Sequence, residues 1–220
     1  MKRGIVSKSD PIALVGGAEL APEHLNILQT LTDLFIAADS GADHLLDSGV
    51  LPQLVVGDFD SISPQARRKF APQLVHVAEQ DSTDLEKALS RAQAPVIIGA
   101  GFLGGRIDHS FAAFSVLAKN PDIPLILLSN TECCFRCPDA GAALRVPVGT
   151  GFAVLPMADI TATTTGLRWD MDGLPLSPSG FVSSSNATAA PDVTIAVTGS
   201  AILTLPLAQL NAAIGVVRAE

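Results

Sequence analysis

Asp58 and Asp60 stand one residue apart in the stretch Gly57-Asp58-Phe59-Asp60-Ser61-Ile62. Two like charges held close repel, and each raises the other's pKa. A hard divalent cation removes that penalty and prefers oxygen ligands. The chemistry open to such a pair is a Mg²⁺ site that carries phosphates. The pair follows Leu54-Val55-Val56, an apolar run that predicts a short buried strand. If the chain stays extended past it, side chains at i and i+2 share one side. Asp58 and Asp60 then aim together and Phe59 turns into the core. The plain alternative is a turn, because Gly-Asp and Asp-Ser are ordinary turn pairs, and Asp-x-Asp is a loose pattern.

Two further stretches carry similar chemistry. Glu79-Gln80-Asp81-Ser82-Thr83-Asp84 leads into Leu85, Glu86, Ala88 and Leu89. Thr83 with Glu86 predicts a capping box that starts a helix, and Asp81 and Asp84 lie at its positive end. Capping explains Thr83 but does not require three acids and a Gln in so short a stretch. Gly99 to Gly105 holds four glycines and is followed by Arg106-Ile107-Asp108-His109 and a helical pattern through Leu117. Backbone N–H groups of such a loop can face phosphates, and Arg106 can add a bidentate clamp. Asp108 and His109 either cap the helix or face the same cleft, and a surface ion pair is the alternative for Arg106. Gly16-Gly17 either approaches a ligand or turns the chain. Asp39, in Ala38-Asp39-Ser40-Gly41, reads as a helix cap. His44 reads as a surface residue, His76 as structural, and Arg67-Arg68-Lys69 as a solvated face.

The elements that must position these groups alternate. Apolar runs at 12–15, 34–38, 54–56, 74–77, 95–98 and 124–128 predict strands, and helical patterns separate them. That alternation implies a mostly parallel sheet with flanking helices. Ligands of an open parallel sheet bind beyond the carboxyl ends of its strands. Gly16, Asp39, Asp58, Asp60, Asp81, Asp84, Arg106 and Asp108 all fall at such ends. An acidic, glycine-bearing site with one Arg suits Mg²⁺ with a nucleoside triphosphate. After about residue 131 helical periodicity nearly vanishes. Runs at 144–148, 151–156, 160–165, 193–197 and 202–205 predict antiparallel strands. The expected architecture is an α/β domain over 1–130 followed by an all-β, sandwich-like domain over 131–220. Within the second, the lone Trp169 is either a core residue or a stacking platform. Ser183-Ser184-Ser185-Asn186 is either a flexible loop or a polar contact surface.

Composition narrows the partners. Hydrophobic residues make up 48% of the 220, enough for a sizeable core. A net charge of -8 disfavours a nucleic-acid partner but leaves small phosphates open once a metal neutralises them. No apolar run spans a bilayer. Met1 to Ser7 has two positive charges and no apolar core, so no signal peptide is expected. Cys133, Cys134 and Cys137 are odd in number and clustered, which suits a reducing cytoplasm. Without a second Cys or His pair they read as buried thiols rather than half a zinc site.

Five segments in order resemble the thiamine pyrophosphokinase family. They are Gly57-Asp58-Phe59-Asp60-Ser61, Gln80-Asp81-Ser82-Thr83-Asp84, Gly104-Gly105-Arg106-Ile107-Asp108-His109, Gly166-Leu167-Arg168-Trp169 and Val182-Ser183-Ser184-Ser185-Asn186. Ala38-Asp39-Ser40-Gly41 resembles a further family segment, with Ser40 in place of a glycine. The resemblance implies transfer of a pyrophosphoryl group from ATP to the thiamine hydroxyl, giving thiamine diphosphate and AMP. It implies Asp58, Asp60 and Asp84 as metal and catalytic carboxylates. Asp39, Gln80, Asp81, Thr83, Arg106, Asp108 and His109 belong with ATP and Mg²⁺. Trp169 stacks on a thiamine ring, and Ser185 and Asn186 hydrogen-bond its pyrimidine. A cytoplasmic homodimer with thiamine at the subunit interface is also implied. The alternatives are another Mg²⁺-dependent, nucleotide-using transferase and a non-catalytic thiamine or nucleotide sensor.

Overall fold

The computed structural model describes residues 4–218; Lys2 and Arg3, the two charges weighed at the amino end, lie outside them. The elements in order are β1 (Ile5–Val6), β2 (Ile12–Val15), α1 (Pro22–Leu31), β3 (Phe35–Ala38), α2 (Gly41–Asp47), β4 (Leu54–Gly57), α3 (Pro64–Lys69), β5 (Leu74–His76), α4 (Asp84–Leu89), β6 (Ala92–Gln93), β7 (Ile97–Ala100), α5 (Ile107–Lys119) and β8 (Leu125–Leu128). There follow β9 (Glu132–Arg136), β10 (Ala142–Arg145), β11 (Gly151–Pro156), β12 (Ile160–Thr165), β13 (Leu174–Leu176), β14 (Ser183–Ala187), β15 (Asp192–Val197), β16 (Ala201–Pro206) and α6 (Leu210–Arg218). Two compact units divide the chain, one of residues up to Val116 with Leu127–Asn130, the other of Leu117–Ile126 with the residues from Thr131 on.

The first unit is built on parallel strands in the order β7-β2-β3-β4-β5, with β8 beside β7. Strands β2, β3, β4 and β7 are buried throughout, as expected of a sheet covered on both faces. From β2 the chain proceeds outward through β3, β4 and β5, then returns to lay β7 on the other side of β2. The topological switch point is therefore between β2 and β7, where open α/β sheets bind ligands. Helix starts follow their sequence signals. Ser63 accepts the Ala66 N–H with Pro64 at the first turn of α3, and Thr83 and Glu86 close the capping box of α4. His24 in α1 is buried, its ring nitrogens within reach of the Ala21 and Ser129 carbonyls at 3.2 and 2.9 Å.

The second unit holds antiparallel strands in two sets of four, β14-β11-β16-β9 and β10-β15-β12-β13. Alternate burial along β12 and β15 marks one hidden face, as in a sandwich. β11 and β12 span the residues expected for them. Three departures stand out. The serine run forms β14 rather than a loop, paired to β11 across a bulge. β9 and β13 were not among the expected strands. And α6 is a nine-residue helix packed against β10 and β9, where helical character was expected to have vanished. Cys133, Cys134 and Cys137 are buried and none is in a disulfide. No helix among the described residues is long and apolar enough to cross a membrane.

Candidate active site

The floor of the site is backbone. A Cβ on Gly16 would collide with the carbonyl oxygen of Gly101, and one on Gly41 with that of Val15. Only glycine lets the exits of β2 and β7 lie against each other at the switch point. Ser40 occupies the space over Gly17, its Oγ standing where a Cβ there would go. The glycine pair thus serves close packing of the cleft floor and also faces the cleft. A cavity of about 710 Å³ opens above it. Its lining includes Gly16, Gly17, Asp58, Asp60, Gln80, Thr83, Asp84, Lys87, Gly104, Gly105, Arg106 and His109.

Asp58 and Asp60 converge by a different route from the extended one expected. β4 stops at Gly57 and Phe59 takes φ of 67°, the left-handed region. A bulky residue pays strain there. Its ring is nonetheless buried, with Arg67 5.7 Å over its face and the His76 ring 5.7 Å away. Arg67 is therefore more than part of a solvated face, and His76 packs beneath the acidic loop. Gln80 donates to Asp58 Oδ2 at 2.7 Å, and the Asp60 N–H points to Asp58 Oδ1 at 3.4 Å. The Gln80 bond holds the Asp58 pKa below its usual value.

Asp39 is not a helix cap. Ser40 occupies the cap position of α2 with no side-chain bond, and the Asp39 carboxylate turns the other way. Its φ of 44° is again left-handed, and Gly57 leaves room for its Cβ. The residue is 2% exposed. Oδ2 accepts the Ser61 hydroxyl at 2.8 Å, and Oδ1 is buried with no partner. Burial pushes its pKa up, and the charges of Asp84, Asp60 and Asp58 add to the effect. Asp39, Asp58 and Asp60 each bring a ligand oxygen to within 4.8 Å of the others. Three carboxylates at this spacing, one of them buried with an oxygen left unpaired, fit a hard divalent cation.

Asp84 lies outside that close group and lines the cavity beside it. Burial raises its pKa, Lys87 opposes the shift, and the Asp58 charge reinforces it. Lys87 sits one turn along α4, 3.5 Å from Asp84 Oδ1. It was not among the candidates, because a lysine in a helix ordinarily reads as solvated. The i, i+3 spacing from Asp84 in a helix starting at the capping box was the signal that could have found it.

Arg106 forms a bidentate pair with Asp108, at 3.1 and 2.5 Å, with both side chains well exposed. The pair holds the Asp108 carboxyl down to about 2. Arg106 and His109 line the cavity; Asp81 and Asp108 do not. Glu79 takes the N–H groups of Asp81 and Ser82 and the Ser82 hydroxyl, which shapes the loop that presents Gln80.

In the second unit Trp169 is 58% exposed rather than a core residue, with Arg168 5.6 Å over its ring. Asn186 is buried. Its Oδ1 accepts the Trp169 N–H at 3.2 Å and the Ala187 N–H at 2.9 Å, and its Nδ2 donates to the Trp169 carbonyl at 2.8 Å. In this structure the carboxamide is bonded to the backbone that carries Trp169. Ser185 is exposed.

Residues 25–127 match the family model of the thiamin pyrophosphokinase catalytic domain, and residues 144–202 match that of the thiamin pyrophosphokinase vitamin B1 binding domain. Thiamine pyrophosphokinase 1 of Oryza sativa subsp. japonica is 28% identical, covering 84% of this chain and 83% of its own. The thiamine pyrophosphokinase of Bacillus subtilis (strain 168) is 45% identical over 93 residues, 39% of this chain and 44% of its own. Among solved structures, thiamin pyrophosphokinase from Candida albicans superposes with a TM-score of 0.79 at 16% identity, covering 91% of this chain and 93% of that one. The Bacillus subtilis structure gives 0.75 at 26% identity, covering 90% and 98%.

Proposed function

Because the chain belongs to the thiamine pyrophosphokinase family, we propose that it transfers the pyrophosphoryl group of ATP to the hydroxyl of thiamine, giving thiamine diphosphate and AMP. The observation that carries the reading is the group Asp39, Asp58 and Asp60 beside the glycine floor at the β2/β7 switch point, with a buried oxygen unpaired. Mg²⁺ would be held by these three residues, with Asp84 alongside, and bound there it neutralises charge on the transferring phosphates. Gly104, Gly105 and Arg106, which line the same cavity, would meet the polyphosphate, and Gln80 fixes the orientation of Asp58. The thiamine oxygen bonds to the β-phosphorus as the bond from that phosphorus to the bridging oxygen kept by AMP breaks and the hydroxyl proton is released, so positioning and charge do most of the work.

Trp169, exposed and polar-edged, suits stacking on a thiamine ring, with Ser185 on the same strand as the latch residue Asn186. A homodimer that places this platform at a subunit interface accounts for the exposure of Trp169 and Phe181. Buried thiols without disulfides suit a cytoplasmic setting, and the charge of -8 suits small-molecule rather than nucleic-acid partners.

The test is product analysis after mixing the protein with ATP, Mg²⁺ and thiamine, beside Asp58→Asn and Asp84→Asn. AMP and thiamine diphosphate in equal amounts, lost in both variants, is the expected result. ADP with thiamine monophosphate, or thiamine binding without turnover, would overturn it.

A further inference from the structure

Phe59 has φ of 67°. For a bulky side chain the left-handed region is an outlier, held only where the surroundings over-determine it. Glycine would meet the same backbone demand without strain. The ring must therefore supply something that glycine lacks. It is 7% exposed, yet two of its neighbours are exposed polar side chains. The Arg67 guanidinium, from α3, stands 5.7 Å over its face, within cation–π range. The His76 ring, at the end of β5, lies 5.7 Å from it and is tilted by 36°. A side chain placed for core burial alone needs neither such partners nor a left-handed backbone.

Hydrogen bonds pin the acidic loop at its two ends. The Gly57 carbonyl accepts the Val77 N–H at 2.8 Å, from the residue after β5. Past the acids, the Ser61 hydroxyl donates to Asp39 Oδ2 at 2.8 Å and the Ser63 N–H to Asp43 Oδ2 at 3.1 Å. Between these pins the local bond is long, with the Asp60 N–H reaching Asp58 Oδ1 at 3.4 Å. The turn that sets Asp60 against Asp58 is therefore held chiefly by the ring at its apex. Both acids line the cavity, and Asp39, with a buried oxygen unpartnered, completes the group.

We infer that Phe59 is a positioning residue for the metal site, its ring seated against Arg67 and His76 so that the left-handed turn keeps Asp58 and Asp60 aimed at the cation they share with Asp39. The inference rests on the metal reading above. Arg67 and His76, which bring no ligand atom to the acidic group, act on metal affinity through the ring that they hold.

The experiment is titration of the full chain with Mn²⁺, followed by loss of the free-ion EPR signal, beside the melting temperature of the metal-free protein. The variants are Phe59→Gly, a double variant Arg67→Ala with His76→Ala, and a conservative double variant Arg67→Lys with His76→Phe. Phe59→Gly relaxes the backbone but frees the loop, and Mn²⁺ binding weakens about 10-fold or more, as it does on loss of groups that orient metal ligands. The double alanine variant, altered only at exposed positions, melts within about 2 °C of the wild type and binds Mn²⁺ several-fold more weakly. Removing a cation from beside an acidic site by itself tightens Mn²⁺ binding, so that loss runs against the charge and marks positioning. The conservative double variant recovers the wild-type affinity. Wild-type Mn²⁺ affinity in the double alanine variant, or in a folded Phe59→Gly, would overturn the inference. So would a loss that the conservative variant does not recover. If Phe59→Gly does not fold, the two double variants decide. A wild type that binds no Mn²⁺ removes the metal reading, and the inference with it.

Discussion

Asp39→Asn should make the metal-free protein more stable and the metal-loaded protein no more stable than that. Asp39 is 2% exposed, its Oδ1 has no partner, and Asp58 and Asp60 bring oxygens to within 4.8 Å. An unsatisfied buried acceptor costs about 1–3 kcal/mol. The amide removes one negative charge and can turn an N–H toward its neighbours, while its oxygen still accepts from Ser61. For a chain of this size about 1 kcal/mol moves Tm by roughly 2–4 °C, so the metal-free variant should melt several degrees higher at pH 7. The pH dependence carries the sign. Burial raises the folded pKa of Asp39 above that of an ordinary aspartate, so the native state binds more protons in the window between the two values. Wild-type stability falls as pH rises through that window and stays lower above it. The gap between variant and wild type should therefore open upward from about pH 4 and level off above the folded pKa. Mn²⁺ at 100 times its dissociation constant should stabilise the wild type by about 2.7 kcal/mol and the variant far less. Calorimetric melting from pH 4 to 8, with and without Mn²⁺, measures all of this. A variant that melts no higher without metal, or that keeps the wild-type Mn²⁺ shift, would refute the assignment of Asp39 as a ligand.

Asn186→Ala removes the two bonds that hold the Trp169 backbone, and a third from the Ala187 N–H. As Trp169 is the only tryptophan, its emission reports the change directly, and KM for thiamine should rise more than kcat falls; an unshifted spectrum with unchanged KM would show the latch to be idle. Burial pushes the Cys133 and Cys134 thiols up to about 12, and Cys137 is buried too. Native protein at pH 8 should resist iodoacetamide and take three labels once denatured, and labelling in the native state would contradict the burial.

What could be read in the chain was whatever short-range chemistry specifies. The apolar run of β11, the β-branched run of β12, the Ser63-Pro64 start and the Thr83–Glu86 box each act within a few residues, and each appears in the structure where the residues place it. The family resemblance was likewise legible, because its motifs are contiguous. Signals dependent on partners were not. β14 has no apolar alternation, and its serines form a strand because β11 offers a ladder. α6 carries Gly215 and paired valines, which hide its period until β9 and β10 cover its inner face.

The site shows the same division. That Asp58, Asp60 and Asp84 gather at strand exits followed from the alternation of strands and helices. That Asp39 joins Asp58 and Asp60, with Asp84 beside them and Lys87 buried behind it, depended on two left-handed residues and on the return of the chain to lay β7 against β2. Those features cost local energy or join residues distant in sequence. Only packing of the whole unit compensates for them, so only the tertiary structure decides them.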